Sequence, residues 1–153
     1  MSDRRRARAA GRIVAPHWRL VDTAALGWAA RWPNFTLAGD VLYSRGDGSV
    51  RLVTAALDRL QAARADVGRP FTINSAYRDP IYNALKGGAP LSSHKAGHAF
   101  DIALAGHDRD ELLAACRRAG FTGFGYYQTF LHVDCGRPRF WYAGERSKAL
   151  WTG

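Results

Sequence analysis

His94 and Asp101 stand seven residues apart in Ser92-Ser93-His94-Lys95-Ala96-Gly97-His98-Ala99-Phe100-Asp101, an imidazole and a carboxylate with a glycine between them. From Ala99 the pattern alternates: Ala99, Asp101 and Ala103 share one face, while Phe100, Ile102 and Leu104 share the other. This predicts a half-buried strand that holds its carboxylate between two small side chains, leaving the room a metal and its water need. His94 precedes the strand, and Gly97 supplies the backbone freedom to turn it back toward Asp101. A third ligand is available downstream in Thr129-Phe130-Leu131-His132-Val133-Asp134-Cys135-Gly136. Two imidazoles and one carboxylate with an open fourth position form a catalytic zinc set. His98 falls on the opposite parity from Asp101 and is read as structural or surface-facing.

These residues also carry a resemblance. Ser92-x-His94-x-x-Gly97-x-Ala99-x-Asp101, followed by Phe130-Leu131-His132-Val133-Asp134, resembles the zinc D-alanyl-D-alanine carboxypeptidase family. Its fold group also includes murein endopeptidases, phage endolysins and the hedgehog signalling domain. The likeness takes in Ile73-Asn74-Ser75-Ala76-Tyr77-Arg78, Tyr82-Asn83 and Lys86-Gly87-Gly88-Ala89, and ends near Trp141. It implies that His94, Asp101 and His132 bind zinc and that the substrate is peptidoglycan, in its stem peptides or crosslinks.

Such a zinc keeps a position for water, lowers its pKa to ~7 and polarises a carbonyl, which points to amide hydrolysis. Arg78, at the end of a predicted strand, could stabilise the developing oxyanion, anchor a substrate carboxylate, or form only a surface ion pair. Asp134 shares the face of His132 and is the acidic residue of its segment. It is expected as general base, with orientation of a ligand by hydrogen bonding as the competing role. Related branches place an acid three residues before the late histidine, where this chain has Thr129. Tyr77, Tyr126 and Tyr127 are candidate cleft walls.

The chain has 153 residues, 47% hydrophobic and 23% charged, which fits one globular domain with a real core. Its formal charge of +9 suits a polyanionic surrounding such as wall polymer, anionic membrane surface or nucleic acid. No helix-turn-helix, zinc-finger or RNA-recognition motif accompanies that charge, so no specific nucleic acid is expected. Two cysteines, Cys116 and Cys135, exclude a disulfide scaffold and a cysteine-rich structural zinc site. No apolar run is long enough to span a bilayer. The basic start, Arg4-Arg5-Arg6-Ala7-Arg8, lacks the following apolar region and cleavage site of a signal peptide. The protein is therefore expected to be made in the cytoplasm and to reach the wall after release, as a phage- or prophage-type lysin, or as part of a virion.

The elements that must position the site follow in order. Residues 1–12 are expected as a flexible basic tail, and 13–153 as the zinc metallopeptidase domain, acting as a monomer. Trp18, Trp28, Trp32 and Phe35 form a core flank or a binding ledge. A helix is predicted from Ser49 to Asp66 on the spacing of Leu52, Val53, Ala56, Leu57 and Leu60. A strand over 71–76 delivers Tyr77-Arg78, Asp79-Pro80 opens a short helix, and residues 86–90 form a loop before the metal motif. Asp108-x-x-Glu111 caps a helix to about Ala119, with Leu112, Leu113 and Cys116 inward. Segments 121–127 and 130–134 form a hairpin, and 137–141 an edge segment. The order predicts an α+β fold, a small antiparallel sheet with flanking helices, and the resemblance implies that it is a single hedgehog/DD-peptidase-like domain. A second functional class is a non-catalytic zinc-bearing module that binds wall or polyanion.

Overall fold

The computed structural model describes residues 11–89 and 92–153. Most of the expected basic tail lies outside the described residues. Arg12, assigned to that tail, instead begins the first strand, β1 (Arg12–Ala15).

β1 pairs antiparallel with β2 (Val50–Val53) as a separate two-stranded ribbon. The helix predicted from Ser49 therefore starts later, as α2 (Thr54–Val67), after the short α1 (Trp28–Arg31). Leu52 and Val53 satisfy a helical stripe and a strand alternation equally well, and a short apolar run cannot choose between them. The choice is made by Arg12–Ala15, which offers β2 a complete ladder from far upstream. Leu52 is fully buried in the result.

The main sheet has five strands in the order β3-β4-β6-β5-β7. They are β3 (Ile73–Ser75), β4 (Ala99–Ala103), β5 (Gly123–Tyr126), β6 (Phe130–Asp134) and β7 (Arg139–Tyr142). All neighbours are antiparallel except the edge strand β7, which joins β5 in parallel. The fold is thus the expected α+β arrangement, with that one parallel pair as a departure. The 121–127/130–134 hairpin is present as β5 and β6.

Alternation divides the sheet into two chemically different faces. Phe100, Ile102, Leu131 and Val133 are fully buried on one of them and share a core with Leu57, Leu60, Leu112 and Cys116. Those helical residues come from α2 and α5 (Arg109–Ala119), which pack together. Burying each such aliphatic or aromatic side chain stabilises the fold by roughly 1.5–3 kcal/mol. α5 starts where Asp108 accepts a hydrogen bond from the backbone of Glu111 at 2.9 Å, the cap expected from the sequence. Burial pushes the Cys116 thiol up to about 12, as suits a small core residue.

Trp28, Trp32 and Phe35 are core and not a ledge. The Trp28 indole donates to the Phe35 carbonyl at 2.8 Å, and the Trp32 indole donates to Asp58 at 3.0 Å. Arg31 completes that corner by forking onto both Asp58 oxygens at 2.8 and 2.7 Å. Among the described residues, no helix is long and apolar enough to cross a membrane.

Candidate metal centre

The second sheet face carries the site. Asp101 on β4 lies directly opposite His132 on β6, and this pairing places their side chains over the same spot. His94 comes from the single-turn α4 (Ser93–Ala96), which follows α3 (Pro80–Leu85). The Ser92 hydroxyl accepts from the His94 backbone N–H at the start of that turn, at 3.3 Å. Gly97 ends the turn in the left-handed region, at φ +80°. A Cβ there would overlap the Arg51 carbonyl, so glycine is required on both conformational and steric grounds. Gly97→Ala is expected to cost at least about 1–2 kcal/mol from the left-handed backbone alone. A lowered thermal midpoint checks this; an unchanged one would show that the turn relaxes freely.

The ring protonation can be read from the partners. His94 Nδ1 is 2.7 Å from the carbonyl of Ala76, which can only accept, so Nδ1 carries the hydrogen. Its Nε2 is left facing Asp101 Oδ1 at 3.2 Å. Both ring nitrogens of His132 face carboxylates, Nε2 at 2.7 Å from Asp134 Oδ2 and Nδ1 at 3.0 Å from Asp101 Oδ1. In the neutral ring the shorter contact takes the hydrogen, which leaves the Nδ1 lone pair toward Asp101. One donor atom from each of His94, Asp101 and His132 lies within 4.8 Å of the other two, and all three residues are buried. Three lone pairs converging out of water are satisfied by a cation between them, a metal ion or a shared proton. The donor set, two imidazole nitrogens and one carboxylate, suits zinc, so the residues present fit that ion.

A proton can fill part of that requirement. Burial disfavours charge on His132, but hydrogen bonds to Asp101 and Asp134 outweigh it and hold its pKa above the ordinary histidine value. For Asp101, burial alone would raise the pKa. The facing imidazoles of His132 and His94, which in the metal-free protein can share a proton with it, outweigh this and keep it below the usual carboxylate range.

Arg78 sits beside the three. Its Nε donates to Ser75 Oγ at 3.0 Å, and Nη2 is 3.6 Å from Asp101 Oδ2. Its backbone N–H donates to the His94 carbonyl at 3.2 Å, tying the two segments together. Asp134 has no exposed surface. Its Oδ1 accepts from Gly136 N at 2.9 Å and Arg139 Nη1 at 2.8 Å. Its Oδ2 accepts from Arg139 Nη2 at 2.7 Å, His132 Nε2 at 2.7 Å and Ser93 Oγ at 3.1 Å. Burial opposes its ionisation, but these donors hold its pKa well below the carboxylate range.

A cleft of about 510 Å³ opens over these groups. Lys86, Gly87 and Gly88 from the loop after α3 line it, as do Tyr127 and Phe130 from the hairpin and Trp141 from β7. Of the three tyrosines expected in the wall, only Tyr127 lines it. Tyr126 has the parity of Phe124 and packs on the core side against Tyr142 and Trp151, while Tyr77 is half-buried outside the cleft. His98 is half-buried, with Nδ1 accepting from Cys135 N at 3.3 Å, and takes no part in the site. Among the described residues, Asp101 is the one acidic side chain lining the cleft, and Thr129 is exposed outside it.

Ser93 and Arg139 were not singled out from the sequence. Ser93 adjoins a ligand and could have been suspected on that ground. Arg139 has no local signal, because only strand pairing brings it to Asp134.

Residues 34–135 match the family described as Peptidase M15, a segment that holds His94, Asp101, His132, Arg78 and Asp134. The chain belongs to the peptidase M15 family. This M15 chain is also 38% identical, over 91 residues, to the zinc D-Ala-D-Ala carboxypeptidase of Streptomyces albus G. That alignment covers 56% of the chain and 36% of the relative, so the chain spans about a third of that protein's length. Arg139 and Trp141 lie beyond the matched M15 segment.

Proposed function

We propose that this chain is a zinc peptidase that hydrolyses an amide bond in peptidoglycan stem peptides or crosslinks. The observation that carries the reading is the convergence of His94 Nε2, Asp101 Oδ1 and His132 Nδ1 at the floor of an open cleft. Zinc bound there supplies a Lewis acid and a water of pKa ~7. Arg78 faces the same cleft and stabilises the charge that develops on the scissile carbonyl oxygen. Asp134 is proposed as a positioning residue and not as the general base. Both its oxygens are engaged, it has no exposure, and its hydrogen bond to His132 Nε2 presents Nδ1 as a lone pair. Lys86 and Arg78 make the cleft cationic, and with a formal charge of +9 the protein suits an anionic wall. On this reading it acts as a lysin on exposed wall.

One observation favours a second reading, a zinc-bearing module without catalysis. No free carboxylate lines the cleft among the described residues, so the proton acceptor common in such sites has no evident carrier.

Digestion of purified peptidoglycan, with the fragments read by mass spectrometry, separates these readings. The peptidase reading expects zinc-dependent release of defined fragments, stopped by chelation and restored by zinc. Cleaved crosslinks indicate an endopeptidase, and free D-alanine a carboxypeptidase. Intact peptidoglycan in the presence of fully metal-loaded protein would favour the binding module.

A further inference from the structure

The site rows of the sheet contain two gaps where side chains would ordinarily stand. On β5, Gly123 pairs with Asp134 on one side and Arg139 on the other, and Gly125 pairs with His132 and Trp141 in the same way. Gly123 and Gly125 share a face, so β5 presents a lane free of side chains between the ligand strand β6 and the edge strand β7. Through this lane Arg139 reaches Asp134 with two hydrogen bonds, and the Trp141 ring comes to 5.0 Å from the His132 ring.

Neither gap can be filled without displacing one of these side chains. A Cβ on Gly123 would overlap both Asp134 Oδ1 and Arg139 Nη1. One on Gly125 would lie 2.5 Å from Trp141 Cζ2 and 3.0 Å from His132 Cβ. The two β7 residues also brace each other, with the Arg139 guanidinium 5.2 Å above the Trp141 ring. Trp141 is fixed in turn by donating to the Tyr127 hydroxyl at 3.3 Å.

We propose that β7 is a clamp on the metal-binding histidine, acting across the glycine lane of β5, with Arg139 and Trp141 as positioning residues. Arg139 fixes the Asp134 carboxylate in plane, and Asp134 fixes the His132 tautomer and ring orientation. Trp141, its ring 5.0 Å from that of His132, limits tilt of the same ring. The planar fork of arginine matches both carboxylate oxygens at once, which a lysine cannot do. This inference rests on His132 being a metal ligand.

The test measures zinc affinity of the folded, metal-free protein by competition with a chromogenic chelator. Arg139→Met is expected to bind zinc ~10–100-fold more weakly, the range for loss of such an orienting partner. Asp134→Asn should match it, and Arg139→Lys should fall between it and the wild type. Phe140→Ala serves as control, because Phe140 is on the same strand but is 65% exposed on the other face. It should leave affinity unchanged. His132→Ala gives the reference for loss of a ligand.

Wild-type affinity in folded Arg139→Met, with binding lost in His132→Ala, would overturn the clamp and leave the metal site standing. An equal loss in Phe140→Ala would assign the effect to the strand as a whole, and likewise overturn it. Unchanged affinity in His132→Ala would overturn both the clamp and the site. Should Arg139→Met fail to fold, Arg139→Lys and Trp141→Phe decide by the same comparison with Phe140→Ala.

Discussion

Asp101→Asn is expected to abolish metal-dependent hydrolysis, with turnover falling to that of the metal-free protein. The substitution keeps the volume of the side chain and a carbonyl oxygen facing the histidines, so the fold should survive it. It removes the one negative charge among the three ligands, and with it the strongest attraction for a divalent ion. A second readout separates this from a general defect. Zinc at about 1,000 times its Kd stabilises the native state by about 4 kcal/mol. For a domain of this size each kcal/mol is worth roughly 2–4 °C. The wild-type midpoint should therefore rise by about 8–16 °C on adding zinc, and that of Asp101→Asn hardly at all.

Binding by the wild type should also weaken as pH falls. His132, with its pKa raised by Asp101 and Asp134, takes a proton on Nδ1 and so competes with the metal. Asp101 stays ionised through that window because its own pKa is depressed, so the loss follows the histidine. Full turnover and normal zinc content in Asp101→Asn would remove Asp101 from the ligand set.

Arg78→Ala is expected to lower turnover by ~10²–10³-fold, about 2.7–4 kcal/mol, if its guanidinium meets the developing oxyanion. Ser75 holds the guanidinium in place before substrate arrives, so little reorganisation is needed at the moment of reaction. The competing role, anchoring a substrate carboxylate in the ground state, would instead raise KM with kcat preserved. Steady-state kinetics on a soluble stem peptide distinguishes the two. Thermal stability should change little, because Arg78 is partly exposed and its ion pair with Asp101 is long, at 3.6 Å. Unchanged kcat and KM in a folded variant would leave Arg78 a structural role only.

Local pattern was enough for much of this. The grouping of His94 with Asp101 was expected from alternation around Asp101 and the glycine after His94, which are properties of neighbouring residues. His132, by contrast, was offered as a third ligand from a separate segment whose place the family resemblance set. The cap at Asp108, the β5–β6 hairpin and the inward Cys116 were legible from neighbouring residues in the same way as His94 and Asp101. Tertiary structure decided whatever depends on a partner far along the chain. Val50–Val53 is a strand because Arg12–Ala15 pairs with it. Asp134 shares a face with His132, as alternation requires, but its role turns on Arg139, which reaches it only across β5. The two glycines of Gly123-Phe124-Gly125 read in one dimension as a weak strand. Their purpose is visible only when β6 and β7 lie on either side, because strand register brings together residues that no sequence spacing relates.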